Sequence, residues 1–109
     1  MSLRDFKKAG EYLLKSLTFA TESNNKMVEA DAQSGMGVLN YIVGNYQEAL
    51  MRSEIGLNIA TKINYKRGIA LAHGHLGLAY LSLTQYPKSL FHFNENLNYS
   101  KQINDKFGT

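Results

Sequence analysis

Cysteine and tryptophan are absent from the 109 residues, and proline occurs once, as Pro87. Without cysteine there is no disulfide framework, no thiolate metal ligand and no thiol nucleophile. The absence suits either redox compartment, and with no signal-like stretch the expectation is a cytoplasmic location. So little proline leaves long segments free to be helical. Apolar runs fall short of the roughly 20 residues that cross a bilayer, so no membrane partner is expected. A dominant charge is lacking too: 12 Lys and Arg stand against 9 Asp and Glu, net +3, an excess that serves nucleic acid only if clustered. The length allows one domain and excludes a large multidomain enzyme. With 44% hydrophobic and 19% charged residues the balance is that of an ordinary globular chain.

What is present is a repeat. Shifted by 40 residues against itself, the chain matches at roughly a quarter of the compared positions, several times the chance level for ordinary composition. Leu17, Leu57 and Leu97 recur in all three frames, as do Asn24, Asn64 and Asn104, and Lys26, Lys66 and Lys106. Phe6, Tyr46 and Tyr86 hold an aromatic position, and Ala9, Ala49 and Ser89 a small one; Ala32 with Ala72 and Gly37 with Gly77 pair in the other half. Size class is held, as packing requires.

Within each unit the period is helical. From Tyr46, the residues Ala49, Leu50, Ser53, Leu57 and Ala60 fall at three- and four-residue steps, while Gln47, Glu48, Arg52 and Lys62 take the other side. This predicts a helix over 46–62, with counterparts over 5–22 and 86–102, the last holding Pro87 in its first turn. The segments 27–43 and 67–83 are rich in Ala, Gly, Leu, Met and Tyr and are expected to be the more buried helices. Asn24, Asn64 and Asn104 follow the long helices and are expected to take the left-handed conformation that ends them. Gly37 and Gly77 lie inside helices, where Gly costs about 1 kcal/mol against Ala, so a close helix approach is expected at each. The prediction is an all-α fold of five helices.

A repeated helix pair carrying Met36-Gly37, Asn40, Gly44, Tyr46, Ala49 and Leu57 in one unit, and Leu76-Gly77, Tyr80, Tyr86, Ser89, Phe93 and Leu97 in the next, resembles the tetratricopeptide repeat (TPR). The period of 40 resembles the family's long-helix variant rather than its usual form of about 34 residues. Asn40, Ser53, Gly56 and Asn96 depart from the pattern, standing where the family has tyrosine, phenylalanine and, for the last two, alanine. The resemblance implies a right-handed α–α superhelix, a solenoid of helical hairpins. In it 5–22 is the second helix of a partial repeat, and 27–62 and 67–102 are repeats. Phe107-Gly108-Thr109 corresponds by offset to Arg67-Gly68-Ile69, which opens an inner helix, so the expectation is a piece of a longer array. Self-association is expected through uncapped faces around Phe6, Leu13 and Leu17, or Phe91 and Leu97.

Apparatus for catalysis is not visible. His73 and His75 are two apart, which separates them by about 200° around a helix and prevents a shared metal; packing or surface roles are expected. His92 and Glu95 share a face but lack the further carboxylates of a di-iron bundle. No Ser, His and acid arrangement is supported by spacing, and the glycines are scattered and helical, unlike a phosphate-cradling loop. No enzyme activity, cofactor or metal is therefore expected. Arg4, Lys7, Lys8 and Lys15 line one side of the first helix, and Lys62, Lys66 and Arg67 form a second small basic group. A solvated face interrupted by Glu11 is the expectation, not specific nucleic acid; an RNA-binding helical repeat is a third reading, behind the two given below.

The resemblance further implies that the two inner helices line a concave groove. Carried across by repeat position, the groove-facing candidates are Asp31, Ser34, Val38, Tyr41 and Ile42, then Leu71, Gly74, His75, Leu78, Leu81 and Ser82. Core packing against the next helix is the alternative for Val38, Ile42, Leu71, Leu78 and Leu81. Tyr41, an aromatic with a polar tip, is the favoured anchor. The Lys, Arg and Asn clamp by which chaperone-binding members hold an acidic peptide end is missing. The neutral groove instead suggests a protein or peptide segment laid along it. The leading expectation is a protein–protein interaction scaffold within a larger regulatory or signalling protein. The alternative is a structural spacer or oligomerisation element that binds nothing in trans.

Overall fold

The computed structural model describes residues 2–106, and over them the chain is all-α. Five helices follow in order: α1 (Leu3–Glu22), α2 (Lys26–Ile42), α3 (Tyr46–Lys62), α4 (Lys66–Ser82) and α5 (Tyr86–Lys106). The correspondence of Phe107 to Thr109 with the start of an inner helix lies outside the described residues. Helical periodicity placed four of the five to within two residues at each end. The exception is α5, which runs on past residue 102.

Asn24 and Asn64 end α1 and α3 with φ of 55° and 54°, as expected of a residue whose short polar side chain tolerates the left-handed region. Asn104 does not: it lies inside α5. An asparagine is equally able to stay right-handed, and no helix follows among the described residues for a turn to pack against α5. The two remaining turns are closed by Gly44 at φ 85° and Thr84 at φ 58°, so left-handed residues recur every 20 positions. In each turn the next amide reaches back to the carbonyl five residues earlier: Asn25 to Ala20, Asn45 to Asn40 and Tyr65 to Ala60 at 2.8 Å, and Gln85 to Tyr80 at 2.9 Å. This pattern satisfies carbonyls that a helix end would otherwise orphan, and it makes four near-identical reversals out of four different sequences.

Each helix packs on its chain neighbours. α2 also reaches α4, whereas α1 does not reach α3, nor α3 reach α5, within 8 Å between Cα atoms. Among the described residues α2 and α4 thus form one layer, with α1, α3 and α5 outside it. Two small clusters tie the layers: Ala30, Ala60 and Ile69 with Leu57, Ile59, Tyr65 and Tyr99 around them, and Leu50, Leu76 and Ala79 with Tyr41, Leu57, Tyr80 and Leu83. The close approach expected at Gly37 and Gly77 is present. A Cβ on Gly37 would stand 2.6 Å from Ser53 Oγ and 3.2 Å from the Ala49 carbonyl oxygen; one on Gly77 would stand 2.6 Å from the Phe93 ring.

The apolar surface left on α1 differs from the expectation. Phe6, Leu13 and Leu17 are half-buried, because α2 packs on that face: Leu13 lies against Gly35, its Cδ2 2.7 Å from where a Cβ would be. The exposed apolar residues of α1 are instead Leu3, Tyr12, Leu14 and Phe19. On α5 the expected Phe91 and Leu97 are exposed, joined by Leu90.

Candidate functional site

A cavity of about 280 Å³ lies where α2, α3 and α4 meet. Helical spacing puts Val38, Tyr41 and Ile42 on one stripe of α2, and they form one wall; His75 and Leu78 of α4 form the other, and Gly37, Ala49 and Ser53 make the floor. The mouth is marked by exposure: Ile42 is 51% and Leu78 39% accessible, whereas Ser53 is 2%. Tyr41 is held in place rather than dangling. Its ring centroid is 5.6 Å from that of Tyr46 at 54°, its body packs on the Leu50, Leu76 and Ala79 cluster, and the Ser82 hydroxyl donates a long hydrogen bond of 3.5 Å to its oxygen.

A second cavity of about 360 Å³ adjoins it, lined by Asp31, Ser34 and Gly35 of α2, by Tyr65, and by Arg67, Gly68, Leu71 and His75 of α4. The Tyr65 hydroxyl donates to Asp31 Oδ2 at 3.2 Å and bridges the two inner helices. Burial raises the Tyr65 pKa, and the Asp31 carboxylate adds to the shift. Ser34 contributes an edge but is itself buried, its Oγ seated against Gly56 of α3. His75 belongs to both cavities. Its Nδ1 is buried and has no hydrogen-bond partner, and desolvation lowers its pKa, so the ring is neutral at neutral pH.

Of the candidates read from the sequence, Val38, Tyr41, Ile42, His75 and Leu78 therefore meet in the first cavity, and Asp31, Ser34, Leu71 and His75 in the second. Leu81 and Ser82 line neither, although both are exposed. Gly74 faces α5, where a Cβ would stand 3.2 Å from Asn96 Nδ2. Sequence reasoning passed over the floor. Its signal was Ser53, noted only as a departure from the phenylalanine expected there. Together the cavities offer apolar walls and a phenol–carboxylate pair.

A third cluster lies between α4 and α5. His73 Nδ1 and His92 Nδ1 are 2.9 Å apart, and the ring centroids are only 5.1 Å apart at 32°, so the two nitrogens face each other nearly head-on. An ion held in line between them at about 2.0–2.1 Å from each nitrogen needs about 4 Å of separation; 2.9 Å is the length of a hydrogen bond carrying one proton. Tyr99 stacks on His73 and Tyr80 on His92, at 14° and 8°, and the Lys88 ammonium lies 5.4 Å from the Tyr80 centroid. Burial lowers the pKa of both histidines, His92 further through the charge of His73, with Glu95 opposing in each case. Among the described residues no three His, Cys, Asp or Glu side chains converge as a metal site, and no helix is long and apolar enough to cross a membrane. No protein-family model matches the chain, and no curated protein matches it.

Proposed function

We propose that this chain is a tetratricopeptide-type module, a right-handed superhelix of the 40-residue variant, that binds a peptide segment along its inner face without catalysis, as part of a regulatory or signalling protein. The observation that carries the reading is the convergence of Val38, Tyr41, Ile42, His75 and Leu78, from two helices 40 residues apart in sequence, on one open cavity. The layering of α2 against α4 supports it as well, since that contact is what an inner, groove-lining layer requires. Apolar walls with a few polar groups are the usual make-up of a recognition pocket, and a fixed tyrosine at the wall is a low-entropy anchor. Selection of peptides from a random display library on the parent protein, and re-binding to an equally helical Tyr41→Ala/His75→Ala/Leu78→Ala variant, tests it. Peptides retained by the parent and lost by the variant support recognition; selection of none, or equal retention, rejects it.

The second reading is an oligomerisation element or spacer. Its supporting observation is the exposure of Tyr12, Leu14 and Phe19 on α1 and of Leu90, Phe91 and Leu97 on α5, large apolar side chains at both ends of the stack. Sedimentation at rising concentration distinguishes it: association lost on Phe19→Ser or Phe91→Ser favours this role.

A further inference from the structure

The two hairpins treat one repeat position differently. In α4/α5, Gly77 lies under the ring of Phe93, three of whose carbons come within 3.0 Å of where a Cβ would be. Forty residues earlier the partner of Gly37 is Ser53, and there the cavity opens, with Gly37, Ala49 and Ser53 as its floor. We propose that this cavity is a receptor for one phenylalanine-type side chain carried on a partner peptide, which occupies in trans the kind of place that Phe93 occupies in cis. The inference rests on the peptide-binding reading and names the anchor that the peptide must carry.

Size and chemistry agree with that occupant. A dry apolar cavity of about 150 Å³ holds benzene, so 280 Å³ accommodates a ring with its methylene stem and the start of a backbone. The floor is made of the three smallest side-chain types, which gives depth, and the rim of Ile42 and Leu78 gives apolar contact to whatever enters. Tyr41 and His75 bring an aromatic ring to each of the opposite walls, which favours an aromatic guest over an aliphatic one of similar area. His75 adds ring contact alone, because its Nδ1 is buried and out of reach of an entering group.

N-acetyl-L-phenylalaninamide carries the ring on a single residue capped by an amide on each side, so it is the probe. At about 0.3 kcal/mol per heavy atom it binds with a Kd of about millimolar. Methyl-detected NMR titration of the whole chain is expected to give saturable shifts at Ala49, Val38, Ile42 and Leu78, about five- to tenfold tighter than for N-acetyl-L-leucinamide. His75→Ala is expected to weaken the phenylalanine probe by about fivefold through the lost ring contact. Ser53→Phe is expected to abolish binding by filling the cavity from within. If that variant does not fold, Leu78→Glu, a change on the exposed rim, must abolish binding in its place. Shifts that do not saturate, equal affinity for the leucine probe, or undiminished binding by Leu78→Glu each overturn the proposal. So do cavity shifts that grow with protein concentration alone and vanish with Phe19→Ser or Phe91→Ser, because the occupant is then a second copy. Library peptides without an aromatic residue that still depend on Leu78 leave the groove reading standing and sink this one; a saturable probe with no selected peptide does the reverse.

Discussion

The first hairpin, α2/α3, and the second, α4/α5, share one frame and close it by different means. In the first Gly37 meets a serine and a backbone carbonyl; in the second its counterpart Gly77 meets a phenyl ring. Gln33 and Arg52 are joined by a hydrogen bond of 3.1 Å, and Arg52 is held in turn by Glu48 at 3.2 Å. The same repeat positions carry His73, His92 and Lys88 in the second hairpin. Gly44 closes one inner helix and Thr84 the other. The repeat thus holds backbone geometry and exchanges side-chain chemistry, and the exchange at Ser53 is the one that leaves a cavity.

The largest effect should come from adding bulk where one helix backbone closely faces another. Gly37→Leu is expected to separate α2 from α3 and cost more than about 3 kcal/mol, a large share of the roughly 5–15 kcal/mol that holds a domain of this size. Gly37→Ala and Gly77→Ala sharpen the contrast. Both should fall within about 1–3 kcal/mol, with Gly37→Ala the costlier, because the Ala49 carbonyl is fixed in a helix while the Phe93 ring can swing. Urea unfolding followed by circular dichroism reads both; equal losses would break the distinction between a backbone-limited and a side-chain-limited contact.

Phe93→Ser rewrites the second hairpin in the manner of the first. Phe93 is only half-buried, so the loss should be about 2–3 kcal/mol, under the 3–5 of a fully buried phenylalanine. A loss below about 1 kcal/mol would mean that the ring is not what holds α4 on α5, and that its counterpart's absence at Ser53 has no structural meaning.

How far these differences could be read in advance depends on their physical origin. The helices and the close approach at Gly37 and Gly77 follow from local rules, a 3.6-residue period and a glycine where propensity disfavours it. The groove candidates came from repeat position and converged only in part, since nothing local distinguishes Val38, which reaches the cavity, from Leu81, which does not. The meeting of His73 with His92 depends on how α4 lies on α5, and neither histidine is informative alone. Asn104 shows the opposite limit, a residue type permitted to end a helix but not compelled to.

The histidine pair gives the second hairpin a pH dependence that the first lacks. Burial holds both rings below the usual 6.5, so on acidification the unfolded chain takes up protons before the folded one does. Their contribution to stability is therefore fully present above about pH 6.5 and is lost as the pH falls through the lowered folded values. A second proton also sets two N–H groups head to head across 2.9 Å, which the pair relieves only by opening. The first hairpin has no histidine: Gln33 and Arg52 stand at those positions. Thermal melts from about pH 8 to pH 5 should show the melting temperature falling in the parent. The fall should be smaller in His73→Gln/His92→Arg/Lys88→Glu, which installs the first hairpin's trio, and the remaining slope should be that of His75, whose pKa is lowered too. Identical slopes would assign the acid sensitivity to His75 alone.

The turns give the smallest contrast and the cleanest one, because the backbone is the same and only the residue differs. Thr84 is β-branched at φ 58°, a region that costs an L-residue roughly 1–2 kcal/mol and costs glycine almost nothing. Its hydroxyl donates to the Leu83 carbonyl at 2.6 Å, a local bond that offsets part of the strain and that glycine gives up. Glycine also enlarges the entropy of the unfolded chain, which takes back a further fraction. Thr84→Gly should therefore stabilise by about 0.5–1 kcal/mol, and Gly44→Thr should destabilise by about 1 kcal/mol or somewhat more, since no Cβ contact awaits it within 4 Å. If the two changes, measured in the same urea series, both destabilise, then the Thr84 hydroxyl outweighs its backbone strain, and the four reversals are alike in shape but not in what holds them.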